Sequence, residues 1–213
     1  MGDSLELNKQ TDFKRTVLIT DGLIGVKDDP LVQITLAKRA LIKDVVDIIK
    51  SEVKNKVSEN FTFFVSVGSY NVTAKGCGWH LNYKNKESRM VTAMATRFQR
   101  ELDSLKALSN ELKCKIILFD LIPLPEQDFD NVPPTKQKLA SALSELFVGI
   151  NNQIKLFSRC PIFLCRFVSQ GGKRKYRSGQ YKLKTQCYCD DSLTKDTQAT
   201  MLESVLDAIK KSL

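Results

Sequence analysis

The chain has 213 residues, 42% of them hydrophobic, with a formal net charge of +9. That length and apolar content fit one globular domain with a full core and argue against a disordered chain. No stretch approaches the roughly 18 apolar residues of a membrane helix, and residues 1–12 form a polar tail without the apolar core of a secretory signal. The six cysteines then read as reduced thiols of a cytosolic or nuclear compartment, and a cytoplasmic protein is expected. The positive balance points toward a polyanionic partner, nucleic acid or an anionic membrane surface.

From residue 13 onward, short apolar runs alternate with helical spacing. Thr16-Val17-Leu18-Ile19-Thr20 is β-branched and aliphatic, and it stops at Asp21-Gly22, which predicts a buried parallel strand with a sharp turn behind it. In open α/β sheets the ligand crevice lies beyond the carboxyl ends of such strands. Asp21 and Gly22 are therefore expected at the edge of any site.

Leu31–Leu36 reads as a second short strand, and Ala40 to about Val57 as a helix burying Leu41, Val45, Val46, Ile48 and Ile49. Phe61–Val67, closed by Gly68, is the strongest strand in the chain. After a polar loop through Asn85, a helix to Leu112 turns Met90, Met94, Phe98, Leu102 and Leu105 inward. Lys115–Asp120 reads as a strand, Leu121–Pro134 as a Pro-rich loop, and the region from about Thr135 to Leu156 as a helix with Leu139, Leu143, Leu146, Phe147 and Ile150 inward. Pro161–Phe167 reads as the last strand. Ser192 or Thr194 opens a terminal helix. This alternation predicts one α/β domain, residues 13–213, as a three-layer α/β/α sandwich around a mostly parallel sheet.

Four turns carry a resemblance. Thr20-Asp21-Gly22 follows the first strand, Leu36-Ala37-Lys38-Arg39-Ala40-Leu41 the second, and Val67-Gly68-Ser69-Tyr70-Asn71-Val72 the third. Asp190-Asp191-Ser192-Leu193-Thr194 precedes the last helix. In order and context they resemble the blocks of the SGNH (GDSL-type) hydrolases. In that family a Ser attacks an ester carbonyl, a His accepts its proton, an Asp orients the His, and amides with an Asn side chain hold the oxyanion.

Matched turn by turn, Gly22 stands at the nucleophile, Arg39 at the second-block Gly, Tyr70 at the Asn and Leu193 at the His. The resemblance thus implies the frame without the catalysis. The tetrapeptide Gly2-Asp3-Ser4-Leu5 spells the family signature, but no strand precedes it to hold a nucleophile. Among SGNH-like proteins lacking the catalytic residues, the chain looks most like the OSK domains of the Oskar germ-plasm proteins. That implies RNA binding, at messenger RNA 3′ untranslated regions, and a role in germ-granule assembly with granule proteins as further partners.

The residues themselves offer an RNA contact. Lys173, Arg174, Lys175, Tyr176, Arg177, Tyr181, Lys182 and Lys184 place six cations and two aromatic rings in one acid-free segment. Cations pair with phosphates while aromatic faces stack on unpaired bases. Lys14, Arg15, Lys38 and Arg39 are secondary candidates, and Arg39 is expected to project into the crevice. Cys77 and His80, with Cys187 and Cys189, have zinc-like residue types at poor spacing, so no metal or cofactor is expected. Asp190 and Asp191 read as helix-capping residues rather than an acid pair. Two other readings stand beside RNA binding: an esterase with relocated machinery, for instance at Ser69, and a protein-binding scaffold of a mobile-element or viral protein. A monomer without membrane attachment is expected.

Overall fold

The computed structural model describes residues 14–54, 60–72, 87–122, 134–159, 161–168, 188–189 and 192–213. Strands β1 (Lys14–Thr20), β2 (Gln33–Leu36), β3 (Asn60–Ser66) and β4 (Lys115–Leu118) form one parallel sheet in the order β2-β1-β3-β4. Val17 is level with Gln33 on one side and Phe63 on the other, and Phe63 with Ile116. Helices α1 (Ile42–Val53), α2 (Glu87–Glu111), α3 (Pro134–Phe157) and α4 (Lys195–Lys210) cover it.

Alternation along the strands sorts the core into two layers. Val17, Ile19, Phe61, Phe63 and Val65 pack with α1, α2 and α3, including Ile49, Phe98, Leu105 and Ile150. Leu18, Phe64 and Ile117 face the other way, onto Met201, Val205 and Ile209 of α4. A sheet buried on both faces explains why β1 and β3 read as unbroken apolar runs. The expected sandwich is observed. Among the described residues, no helix is long and apolar enough to cross a membrane.

Three expectations are corrected, two of them by a carboxylate side chain. Leu31 and Val32 lie outside β2 because Asp29 accepts their amides at 3.0 and 3.2 Å, holding an Asx-type turn there. Ile42, not assigned inward from the sequence, is fully buried on α1, where Leu41 is only partly covered. Pro161–Phe167 is not a strand. Its second half is a 3₁₀ turn, Leu164–Phe167, because the Asp120 carboxylate accepts the amides of Leu164 and Cys165 at 2.5 and 2.9 Å. The first amides of a helical turn lack partners within the turn, and the one carboxylate satisfies both of these. Two-residue strands β5 (Tyr188–Cys189) and β6 (Ser192–Leu193) pair antiparallel before α4. Thr194, one of the two expected caps, holds the α4 terminus by accepting the amide of Thr197 at 3.3 Å. Asp190 and Asp191 lie outside the described residues.

Candidate functional site

The carboxyl ends of β1, β2 and β3 meet through their backbones. Asp21 donates its amide to Ser66 at 3.2 Å, Ala37 to Thr20 at 2.8 Å, and Arg39 to Asp21 at 3.1 Å. The loops after all three strands are thereby held at one edge of the sheet. Two of them turn through glycines with left-handed backbones, Gly22 at φ 94° and Gly68 at φ 122°. Arg39 has φ 56°, also left-handed, though it carries a side chain.

Asp21 is buried, with one oxygen accepting the Leu23 amide at 3.1 Å. Burial pushes its pKa up to about 7, against the opposing pull of the Leu23 and Gly68 amides. Tyr70, half-buried in a 3₁₀ turn over Ser69–Asn71, feels the same carboxyl. Burial and the Asp21 charge raise its hydroxyl pKa, and the Arg39 guanidinium, within hydrogen-bonding reach, lowers it. Asp21, Arg39 and Tyr70 therefore form one electrostatic cluster: a buried carboxyl, a half-buried phenol and an exposed guanidinium. Lys38 is exposed next to it.

Asn71 fixes the rim. Its side-chain oxygen accepts the Ile42 amide at 2.9 Å, and its nitrogen donates to Glu101 at 2.9 Å, which also receives Arg97 at 3.1 Å. This α1–turn–α2 clamp is not apparent from the sequence; an Asn following a turn-forming Gly was its one visible sign. Ser69 is buried, and its hydroxyl accepts the Ile122 amide at 3.0 Å. That bond ties the β3 turn to the segment after β4, a structural use for the hydroxyl considered above as a relocated nucleophile. Leu193 on β6 is buried in the apolar layer with Leu23, Ile24 and Met201.

No known family model matches the chain, and no curated protein matches it by sequence. Solved structures do. The chain is similar to a GDSL-like lipase from Bacteroides thetaiotaomicron at 15% identity, TM-score 0.58, over 93% of this chain and 89% of that one. It is similar to TesA at 12% identity, TM-score 0.50, over 93% and 99%. The fold is SGNH-like. At these identities the likeness establishes the fold alone.

Gly22, Arg39 and Tyr70 come together at the carboxyl edge of the sheet. Lys14 and Arg15 do not join them. They stand at the opposite end of β1, roughly 20 Å away at strand rise, where Arg15 donates to Gln33 at 3.0 Å. Lys173, Arg174, Lys175, Tyr176, Arg177, Tyr181, Lys182 and Lys184 lie outside the described residues, as do Cys77, His80 and Cys187.

Proposed function

We propose that this is a non-catalytic SGNH-like domain that binds RNA, with messenger RNA 3′ untranslated regions as targets and germ-granule assembly as the setting. The observation that carries the reading is Arg39. A residue with a side chain costs roughly 1–2 kcal/mol in the left-handed region; Lys113 takes it at φ 51° to close α2, whereas Arg39 takes it at the converging strand ends. Here it holds an exposed cation at the edge of the sheet, beside a phenol ring. A phosphate oxygen suits the guanidinium, and an unpaired base suits the ring.

The reading also draws on the positions that the family resemblance assigns to catalysis. Gly22 has no hydroxyl to attack with, and Leu193 has no imidazole to take a proton. Without them the acyl-transfer route has neither nucleophile nor base. The net charge of +9 favours a polyanionic partner. On this reading the domain is a cytoplasmic monomer of ribonucleoprotein granules, with granule proteins as further partners and no cofactor. The germ-granule setting rests on the resemblance to OSK domains.

The test is binding of labelled single-stranded RNA across a salt series. Affinity should fall steeply as salt rises, through counterion release, and Arg39→Ala should weaken it several-fold. Absence of binding at about 50 mM salt overturns the reading. Hydrolysis of short nitrophenyl esters above the buffer rate would instead favour an esterase.

A further inference from the structure

We infer that the cavity at the amino end of β1 and β2 is a phosphate-binding site, taking a phosphate group that carries a ribose and base. The cavity encloses about 370 Å³, and its lining includes Lys14, Arg15, Asp29, Pro30, Leu31 and Gln33. Small-molecule sites of roughly 300–1,000 Å³ are usual. It lies at the far end of β1 from Arg39 and does not depend on the RNA-binding reading. An RNA strand supplies such a group, and so does a free nucleotide; the chemistry recognised is the same.

The cations are positioned by their neighbours. Arg15 donates from Nε to the Gln33 side-chain oxygen at 3.0 Å, and a terminal guanidinium nitrogen donates to the same oxygen. Gln33 spends its amide nitrogen on Glu52 at 3.0 Å, which leaves its oxygen for Arg15. Glu52 is held in turn by the Thr35 hydroxyl at 3.0 Å. The guanidinium is thus placed before a ligand arrives, which lowers the ordering cost of binding. Lys14, exposed beside it, adds a point charge on a flexible stem.

The carboxylate in the lining is already committed. Asp29 accepts the Leu31 and Val32 amides through one oxygen and the Lys210 ammonium through the other, and its side chain is 7% exposed. It compensates Lys210 and offers little to a metal ion or a basic ligand. Lys113 and Lys115 at the start of β4, and Lys211 behind Lys210, are exposed at the same end of the sheet, with Glu111 and Asp207 as the nearest acids in sequence. Their summed potential favours an anion. On the rim Leu31 is 62% exposed beside Pro30, an apolar shelf on which a ribose or base can shed water.

The full chain is titrated by calorimetry with adenosine monophosphate, adenosine and inorganic phosphate. The monophosphate should bind roughly tenfold tighter than adenosine. Lys14→Ala should weaken it roughly fivefold. Leu31→Ser should weaken it too, while leaving inorganic phosphate unaffected. Both side chains are exposed, so the fold should survive, and Arg39→Ala should change none of these affinities. A labelled oligouridylate of about twelve nucleotides is titrated in parallel. If that strand binds, and is weakened by Lys14→Ala and Leu31→Ser while the free nucleotide does not bind, the phosphate is that of RNA and the site stands. If both substitutions leave nucleotide and RNA affinities unchanged, the site is wrong, and Arg39→Ala alone decides the RNA-binding reading. Adenosine binding as tightly as its monophosphate overturns the site as well. So does Lys14-dependent binding of polyglutamate with neither phosphate ligand bound, in favour of an acidic polypeptide.

Discussion

The amide of Arg39 donates to the carbonyl of Asp21 at 3.1 Å, tying the loop after β2 to the end of β1. That bond holds Arg39 at φ 56°, so its backbone and side chain should separate by mutation. Arg39→Gly should be about 1 kcal/mol more stable than Arg39→Ala, because glycine accepts left-handed φ without strain. Both should lose RNA affinity alike. Denaturant unfolding beside binding titrations checks the pair.

Gly22→Ser restores a hydroxyl where the family resemblance places the nucleophile, but the backbone there has φ 94°. An added Cβ would also lie 3.3 Å from the Leu36 side chain. The variant should lose about 1–3 kcal/mol of stability. It should gain no esterase activity, since Leu193 supplies no base. Unfolding and a nitrophenyl ester assay decide this.

Stability should fall as pH rises from about 4 to 7. Asp21 and Asp120 are buried, with pKa values pushed up by burial to about 7 and about 6. Within that window the native state keeps protons that the unfolded chain has lost, so raising pH favours unfolding; above it the effect levels off. Asp21 alone accounts for about 4 kcal/mol at most. Asp21→Asn, which retains an acceptor for Leu23, should flatten the upper part of the profile. Denaturation midpoints at pH 5 and pH 8 measure it.

Asn71 joins two helices by accepting from Ile42 and donating to Glu101. Asn71→Ala should cost about 1–3 kcal/mol by leaving the Ile42 amide unpaired. Asn71→Asp keeps that acceptor but sets a second carboxylate against Glu101. Its deficit should therefore shrink once acid protonates one of the two. Thermal unfolding of both variants at neutral and acid pH separates the two effects.

The sheet was legible because β1 and β3 are buried on both faces, so their apolar runs have no competing explanation. The segment Ile162–Phe167 has an equally apolar composition, yet its conformation is decided by Asp120, more than forty residues upstream. Local pattern cannot register such a partner. Asp21 and Gly22 were legible at the site's edge because strand ends in this architecture converge there. The Arg39–Tyr70–Asp21 cluster was visible only as separate residues: Arg39 stood out as an oddity in a glycine position, while its contact with Tyr70 and Asp21 depends on how three loops meet. The Asn71–Glu101 clamp depends on α2 packing beside the β3 turn, a pairing that neither segment announces.

The outer margin of β4 has a consequence for crowding. An unpaired strand edge is a template onto which another chain can add. Here the Ser158 hydroxyl accepts the Leu118 amide at 2.9 Å, and Asn151 accepts that of Leu121 at 2.7 Å. Asp120 turns the chain that could have supplied a fifth strand into a helical turn instead. At Leu118 this rim is occupied by a side chain of its own molecule, so a second copy adding a strand there would first have to displace Ser158.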